Sequence, residues 1–216
     1  MNMNIITIII IAVTVIFSFK GFNDPIFFDR YKFNVGAIIK SRQWDRMITS
    51  AFLHGDVMHL IFNMFTFYFF SNLIIQNCGI IFFLILYVGS ILSGNLLSLD
   101  RHKKENYYSA IGASGGVSGI LFASITFSPT IEIFIFTIPK PIPGWIFGII
   151  YLAYSVYGMR AQLGNIGHEA HLGGAVFGII VAVLFSILFS IPIHINYLLI
   201  MLIPLAFLAY LVYKEK

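Results

Sequence analysis

The stretch from Val57 to Ser98, VMHLIFNMFTFYFFSNLIIQNCGIIFFLILYVGSILSGNLLS, decides the fold. It reads as two uncharged apolar runs, 57–77 and 79–98, each near the ~20 residues a helix needs to cross a hydrocarbon core. Hydrocarbon offers no water to backbone N–H and C=O groups, so a spanning run must be a helix or part of a closed barrel. Barrel strands are about ten residues long and alternate in polarity, whereas these Ile, Phe and Leu runs do not alternate. They are helices. Working outward, further uncharged apolar stretches lie at about 3–19, 112–128, 143–159, 168–190 and 195–213; the sixth span alone holds a charge, Glu169 near its start. The expected fold class is all-α, a polytopic membrane helical bundle. It forms a single membrane domain over residues 1–216, with a core at 1–190 and an additional C-terminal span within 191–216.

Composition points the same way. The chain has 216 residues, 59% hydrophobic, 17% aromatic and 10% charged, with a mean hydropathy of +0.91. Soluble domains carry about 25% charged residues, and disordered chains combine low hydrophobicity with high charge, so both classes are excluded. Seven spans consume about 140 residues, which leaves one substantial loop and no separate soluble domain. A net charge of +4 would suggest nucleic acid in a soluble protein; here the basic residues sit in loops and are expected to meet lipid headgroups, with no nucleic-acid partner. Cys78 is the single cysteine, so no intrachain disulfide forms. The run Ile5–Phe19 lacks a basic leader and a small-residue cleavage site, and reads as a retained first span.

Residues 20–56 differ from the rest. They hold ten of the 22 charged residues, interleaved with Phe22, Phe27, Phe28, Tyr31, Phe33 and Trp44. Basic and aromatic side chains mixed in this way suit a structured loop at the headgroup boundary. The other connections are shorter: a polar loop at 99–111, and 129–143, where Pro129, Pro139, Pro141 and Pro143 end the fourth span and delay the fifth.

Function is sought where polar groups sit inside spans, because each is costly there unless paired or wetted. Around the start of the second span, HGDVMHLIFN carries His54, His59 and Asn63; His59 and Asn63 are four apart and share a helix face. Two donors stacked so can serve one developing negative charge, or can simply bond neighbouring helices. The fourth span opens IGASGGVSGI, with Ser114 among Gly112, Gly115, Gly116 and Gly119. Gly115, Gly119 and Ala123 form an i+4 row for close helix packing, and a helix start gives Ser114 unpaired N–H groups beside its hydroxyl. In the sixth span, GHEAHLGGAVFG places His171 beside a row of Ala170, Gly174, Gly178 and Ala182. That row presses the histidine toward a neighbouring helix, as a base serving another helix's hydroxyl must be; a histidine satisfied by a backbone carbonyl is the plainer reading. A zinc reading of His54, His59, His168 and His171 is weak, since zinc-peptidase helices use H-E-x-x-H and this one reads H-E-A-H. No metal and no cofactor are expected. Taken together, a serine and a histidine on two glycine-lined helices, with His and Asn on a third, supply nucleophile, base and oxyanion donors for acyl transfer.

These residues resemble the rhomboid family of intramembrane serine proteases. Gly112-Ala113-Ser114-Gly115 matches its GxSG motif, His54, His59 and Asn63 its H-x4-H-x3-N, and Ala170-His171-x-x-Gly174-x-x-x-Gly178 its AHxxGxxxG. Arg46, with Trp44 close by, is similar to the aromatic-Arg feature of the family's first loop. The resemblance implies a Ser114–His171 dyad without a carboxylate, and an oxyanion held by the Ser114 N–H, His59 and Asn63. It also implies supporting places for His54, Gly112, Gly115 and Arg46. Substrates would be transmembrane segments of other membrane proteins, hydrolysed in or near the bilayer of a plasma or inner membrane, with no cofactor. The alternative is a catalytically inactive relative that binds transmembrane helices; a third class, a metal or solute transporter, would depend on His54 or His168 and dispense with Ser114. The starts of the second, fourth and sixth spans fall on one side of the membrane, so the named residues can meet. Two departures stand out: Ser118 occupies the place, four after the serine, where relatives often carry an aromatic stacked on the catalytic histidine, and a seventh span follows the core. Orientation is contested: 12 of the 13 basic residues fall on the loops of the active-site side, which the positive-inside rule would place inward, whereas the resemblance places that side outward.

Overall fold

The computed structural model describes residues 4–135, 139–161, 163 and 167–214. Helix α1 (Ile5–Asn23) opens on Asn4, whose side chain accepts from the Ile6 N–H at 2.9 Å and so satisfies one of the helix's orphan donors. Its buried residues are Thr7, Thr14, Ser18 and Gly21, while Ile5, Ile9, Ile16 and Phe19 stay exposed. A helix in lipid gains nothing from hiding isoleucine, so it turns its small and hydroxyl-bearing side inward, where Thr7 meets Ser71 at 3.2 Å.

Residues 20–56 form a packed unit rather than a free linker. Short helices α2 (Pro25–Tyr31), α3 (Val35–Ser41) and α4 (Arg46–Thr49) follow one another and run into a 3-10 turn at Ser50–Phe52. Asp24 caps α2 through the Phe27 N–H, and Asn34 caps α3 through the Ala37 N–H. Strand β1 (Phe33–Asn34) pairs antiparallel with β2 (Ser109–Ala110), tying this unit to the 99–111 loop. Phe33, Val35, Ile38 and Met47 bury themselves against Leu92 and Leu99.

Helix α5 (Val57–His102) is interrupted at Gly79, with φ 84° and ψ 166°. Phe67 lies 5.8 Å from Phe83 and 4.9 Å from Tyr87, ring to ring. A straight helix would hold residues sixteen apart at about 24 Å. The chain therefore doubles back at Gly79 into two antiparallel arms, 57–78 and 80–102, as the two apolar runs predict. A Cβ at Gly79 would meet no atom within 4 Å, so it is the positive φ that calls for glycine there.

Helix α6 (Ser114–Phe127) is the central rod: every residue from Gly115 to Thr126 is buried. It begins two residues later than the apolar run suggests, because Gly112 turns the chain with φ 117°. A short antiparallel pair, β3 (Glu132–Ile133) with β4 (Ile142–Pro143), leads into α7 (Gly144–Ala161), and α8 (His168–Phe189) follows. Helix α6 packs most extensively against α5 and α8. The last apolar run does not form one helix: it is α9 (Ile195–Met201) and α10 (Ile203–Lys214), separated at Leu202. Pro204 lies in the first turn of α10, where its missing N–H is tolerated but would have broken a helix continuing from α9. Among the described helices, Ile5–Asn23, Val57–His102 and His168–Phe189 are long and apolar enough to cross a membrane. The chain is a multi-pass helical membrane bundle.

Candidate active site

The approach to Ser114 is pinned residue by residue. The Gly112 N–H donates to the Ser50 carbonyl at 3.0 Å, and the Ala113 N–H donates to His54 Nε2 at 3.4 Å. Ser114 is then the first residue of α6, and no side chain caps that helix start. Its N–H lies where a helix leaves donors unpaired and the dipole favours negative charge. A Cβ at Gly112 would lie 3.0 Å from the His59 ring and 3.7 Å from Ser114 Oγ, so these two side chains face the same small volume.

His59 is oriented by its own helix start. Asp56 accepts from the His59 N–H at 2.8 Å, and the Gly55 N–H donates to His59 Nδ1 at 3.5 Å. With Nδ1 accepting, the proton of a neutral ring sits on Nε2, one of the two ring atoms nearest Gly112. Asn63, buried one turn on, spends one amide hydrogen on the His59 carbonyl at 3.0 Å and keeps a second.

His171 lies in the first turn of α8, brought to α6 by bare backbone contact. A Cβ at Gly174 would run into the Gly115 carbonyl, and one at Gly178 into the Gly119 carbonyl. Gly115 in turn leaves room for the Ala170 carbonyl. Ser114, His171, His59 and Asn63 all line one cavity of about 830 Å³, walled also by Lys32, Asp56 and residues 108–111. Each of the two charges there has a partner, Lys32 with Asp29 at 2.9 Å and Asp56 with the His59 N–H. Among the described residues no hydrogen bond joins Ser114 Oγ to His171, and no carboxylate contacts the His171 ring; Glu169 is turned to His102, 3.4 Å away.

Two of the sequence-derived candidates stand behind the cavity wall. His54 is fully buried, its Nδ1 2.9 Å from Ser18 Oγ, and Ser18 Oγ donates to the Phe52 carbonyl. Since Nε2 accepts from Ala113, the ring proton is on Nδ1 and the chain of bonds runs α1 to α6 with every donor used. Burial holds His54 well below the usual histidine range, at about 3, so it stays neutral as this pattern requires. Arg46, also buried, donates to the carbonyls of Asp29 and Lys32 and to Gln43; it fixes the loop that supplies Lys32 to the cavity wall. His168, buried, bonds the Leu163 carbonyl at 3.2 Å. No three His, Cys, Asp or Glu side chains converge as metal ligands do among the described residues.

Sequence reasoning passes over two residues. Tyr151 of α7 stacks on His171, with ring centroids 5.8 Å apart and planes at 28°. Its hydroxyl is 2.6 Å from Ser118 Oγ, so the serine that cannot itself stack instead grips a ring that does. Nothing local marks Tyr151 among Phe147, Tyr154 and Tyr157 in the same span. Ser18 has a weak signal, the Thr7, Thr14, Ser18 spacing that traces one helix face.

Residues 41–188 match the family model described as a Rhomboid domain. The chain is 32% identical over 152 residues to "RHOMBOID-like protein 12, mitochondrial" of Arabidopsis thaliana, covering 63% of this chain and 45% of that protein. It is 30% identical over 137 residues to "Rhomboid protein 1, mitochondrial" of Saccharomyces cerevisiae, covering 62% and 40%. To the human "Presenilin-associated rhomboid-like protein, mitochondrial" it is 29% identical over 141 residues, covering 62% and 36%. The matched regions are thus less than half the length of each of these relatives.

Proposed function

We propose that this chain, which belongs to the rhomboid family, is a serine endopeptidase that cuts transmembrane segments of other membrane proteins. The observation that carries the reading is the single cavity shared by Ser114, His171, His59 and Asn63. Ser114 Oγ attacks the scissile carbonyl carbon while His171 accepts its proton. The carbonyl oxygen, now an oxyanion, is met by the Ser114 N–H, His59 Nε2–H and the free Asn63 amide hydrogen. Collapse breaks the C–N bond, and the leaving amine takes the proton from His171. Water, activated by the same imidazole, then releases the acyl group from Ser114. Catalytic hydrogen bonds of free enzymes are often long and tighten only around substrate. The reading therefore requires the Ser114 hydroxyl and the His171 imidazole to close on each other as a peptide enters.

The cavity also sets demands on the substrate. A peptide bond inside a helix is shielded and hydrogen-bonded, so the segment must unwind before it can lie against Ser114. The membrane is a plasma or inner membrane; the three relatives named above all carry the word "mitochondrial" in their names.

The test is cleavage of a model transmembrane substrate by detergent-purified protein, with Ser114→Ala and His171→Ala alongside. Cleavage by the unaltered chain alone, unaffected by chelators, is expected. A residual rate about 10³-fold or more below the unaltered chain is expected for each variant. Cleavage by Ser114→Ala at a rate comparable to the unaltered chain would overturn the assignment. Substrate capture by the unaltered chain without any cleavage would favour the alternative, a relative that binds transmembrane helices but does not cut them.

A further inference from the structure

His171 has a base's position without a base's usual support. In Ser-His-Asp triads a carboxylate fixes the imidazole; here no carboxylate and no side-chain hydrogen bond reaches the His171 ring among the described residues, and Glu169 faces His102. What does reach it is Tyr151, stacked at 5.8 Å and 28°, within the range where aromatic pairs attract in offset geometry. The other ring beside it, His168, stands 6.4 Å away at 72° and is committed to Leu163.

Tyr151 is itself held from several sides. Its hydroxyl bonds Ser118 Oγ at 2.6 Å, Phe122 of α6 packs at 5.4 Å and Phe147 of α7 at 5.7 Å. Ser118 and Phe122 are one turn apart on α6, as Phe147 and Tyr151 are on α7, so two helices clamp one ring. A ring fixed at both its edge and its faces is a rigid surface against which an imidazole can be laid.

We propose that Tyr151 is the positioning residue that sets the His171 imidazole for proton transfer, with Ser118 anchoring it through its hydroxyl. The inference rests on the protease reading above. The stack limits rotation of the His171 ring about its side-chain bond, so the nitrogen that must meet Ser114 is held on the cavity side. An aromatic face also stabilises the imidazolium that forms when His171 takes the serine proton. Three helices are joined in this way at one point: α6 through Ser118, α7 through Tyr151 and α8 through His171.

The experiment measures kcat and KM on a transmembrane substrate, and the rate of labelling by a fluorophosphonate that needs only an activated serine. The set is the unaltered chain, Tyr151→Phe, Tyr151→Leu, Ser118→Ala and the Tyr151→Phe/Ser118→Ala pair, each checked for an unchanged melting temperature. Tyr151→Leu is expected to lower kcat and labelling about 10- to 100-fold, the scale of a misplaced catalytic group, with KM little moved. Tyr151→Phe keeps the ring and is expected to retain most of the activity. The double variant should be no worse than either single one, because both remove the same hydrogen bond. If Tyr151→Leu does not fold, Tyr151→Met carries the same expectation. A leucine or methionine variant that cuts and labels as fast as the unaltered chain overturns the inference and leaves the protease reading intact. An unaltered chain that neither cuts nor labels sinks both.

Discussion

Helix α8 meets α6 and α7 in opposite ways. Against α6 it offers glycine: Gly174 and Gly178 lie on the carbonyls of Gly115 and Gly119, backbone on backbone. Against α7 it offers rings: His171 takes Tyr151, and His168 fills the space above Gly158 beside Tyr154. The first contact fixes how far apart two rods lie and admits no adjustment. The second fixes how side chains are turned and can give when a group is changed. A serine and a histidine on separate helices require both, since distance comes from the seam and orientation from the rings.

The sharpest way to break this contrast is to make one substitution on each side. Gly178→Ala pushes a methyl into the Gly119 backbone, which has nowhere to move. We expect a loss of about 3 kcal/mol or more, the upper range for overpacked cores, read as a collapse of thermal stability in detergent and of substrate cleavage together. Gly158→Ala meets the His168 ring first, a side chain that can swing at the expense of its bond to Leu163. A smaller loss of about 1–2 kcal/mol is expected, with most of the folded protein recovered. Equal losses at the two sites would erase the distinction.

The remaining test of the contrast uses pH. His54 bridges α1 to the start of α6 through neutral-ring hydrogen bonds, and burial lowers it from 6.5 to about 3. The unfolded chain therefore binds a proton that the folded chain refuses. Stability from this group is complete above about pH 6.5 and drains as pH falls toward 3, by at most ~1.4 kcal/mol per pH unit. In a series of melting temperatures, His54→Gln should flatten this acid slope while lowering the plateau. An acid slope as steep as that of the unaltered chain would show that His54 does not set it. The glycine seam holds no titrating group, so its variants should shift the curve without changing its shape.

Much of the fold was legible in the chain. The two apolar runs flanking Gly79 became the two arms of α5, and the small-residue rows at Gly115/Gly119 and Gly174/Gly178 became the seam they suggest. The final run was not: hydropathy counts residues and passes over Pro204, which keeps α9 and α10 apart. The candidate site was legible as residues, since Ser114, His59 and His171 each stand within a turn of a helix start on the same side. The ring beside His171 was not. Ser118 looked like a missing aromatic, yet its hydroxyl is what holds Tyr151, a ring contributed by a helix 33 positions away. His54 and Arg46, expected in supporting places, stand behind the wall, on the backbone before Ser114 and on the loop carrying Lys32.

Bilayer physics acts on each segment separately, because every backbone group in hydrocarbon must be satisfied within its own helix. The order of apolar and polar residues along the chain was therefore enough to determine a helical membrane bundle and to show which polar side chains it could least afford to strand. Which ring lies on which imidazole is a property of two helices at once, settled by how their side chains pack against each other. Only the assembled bundle decided that Tyr151 would be the one to lie against His171.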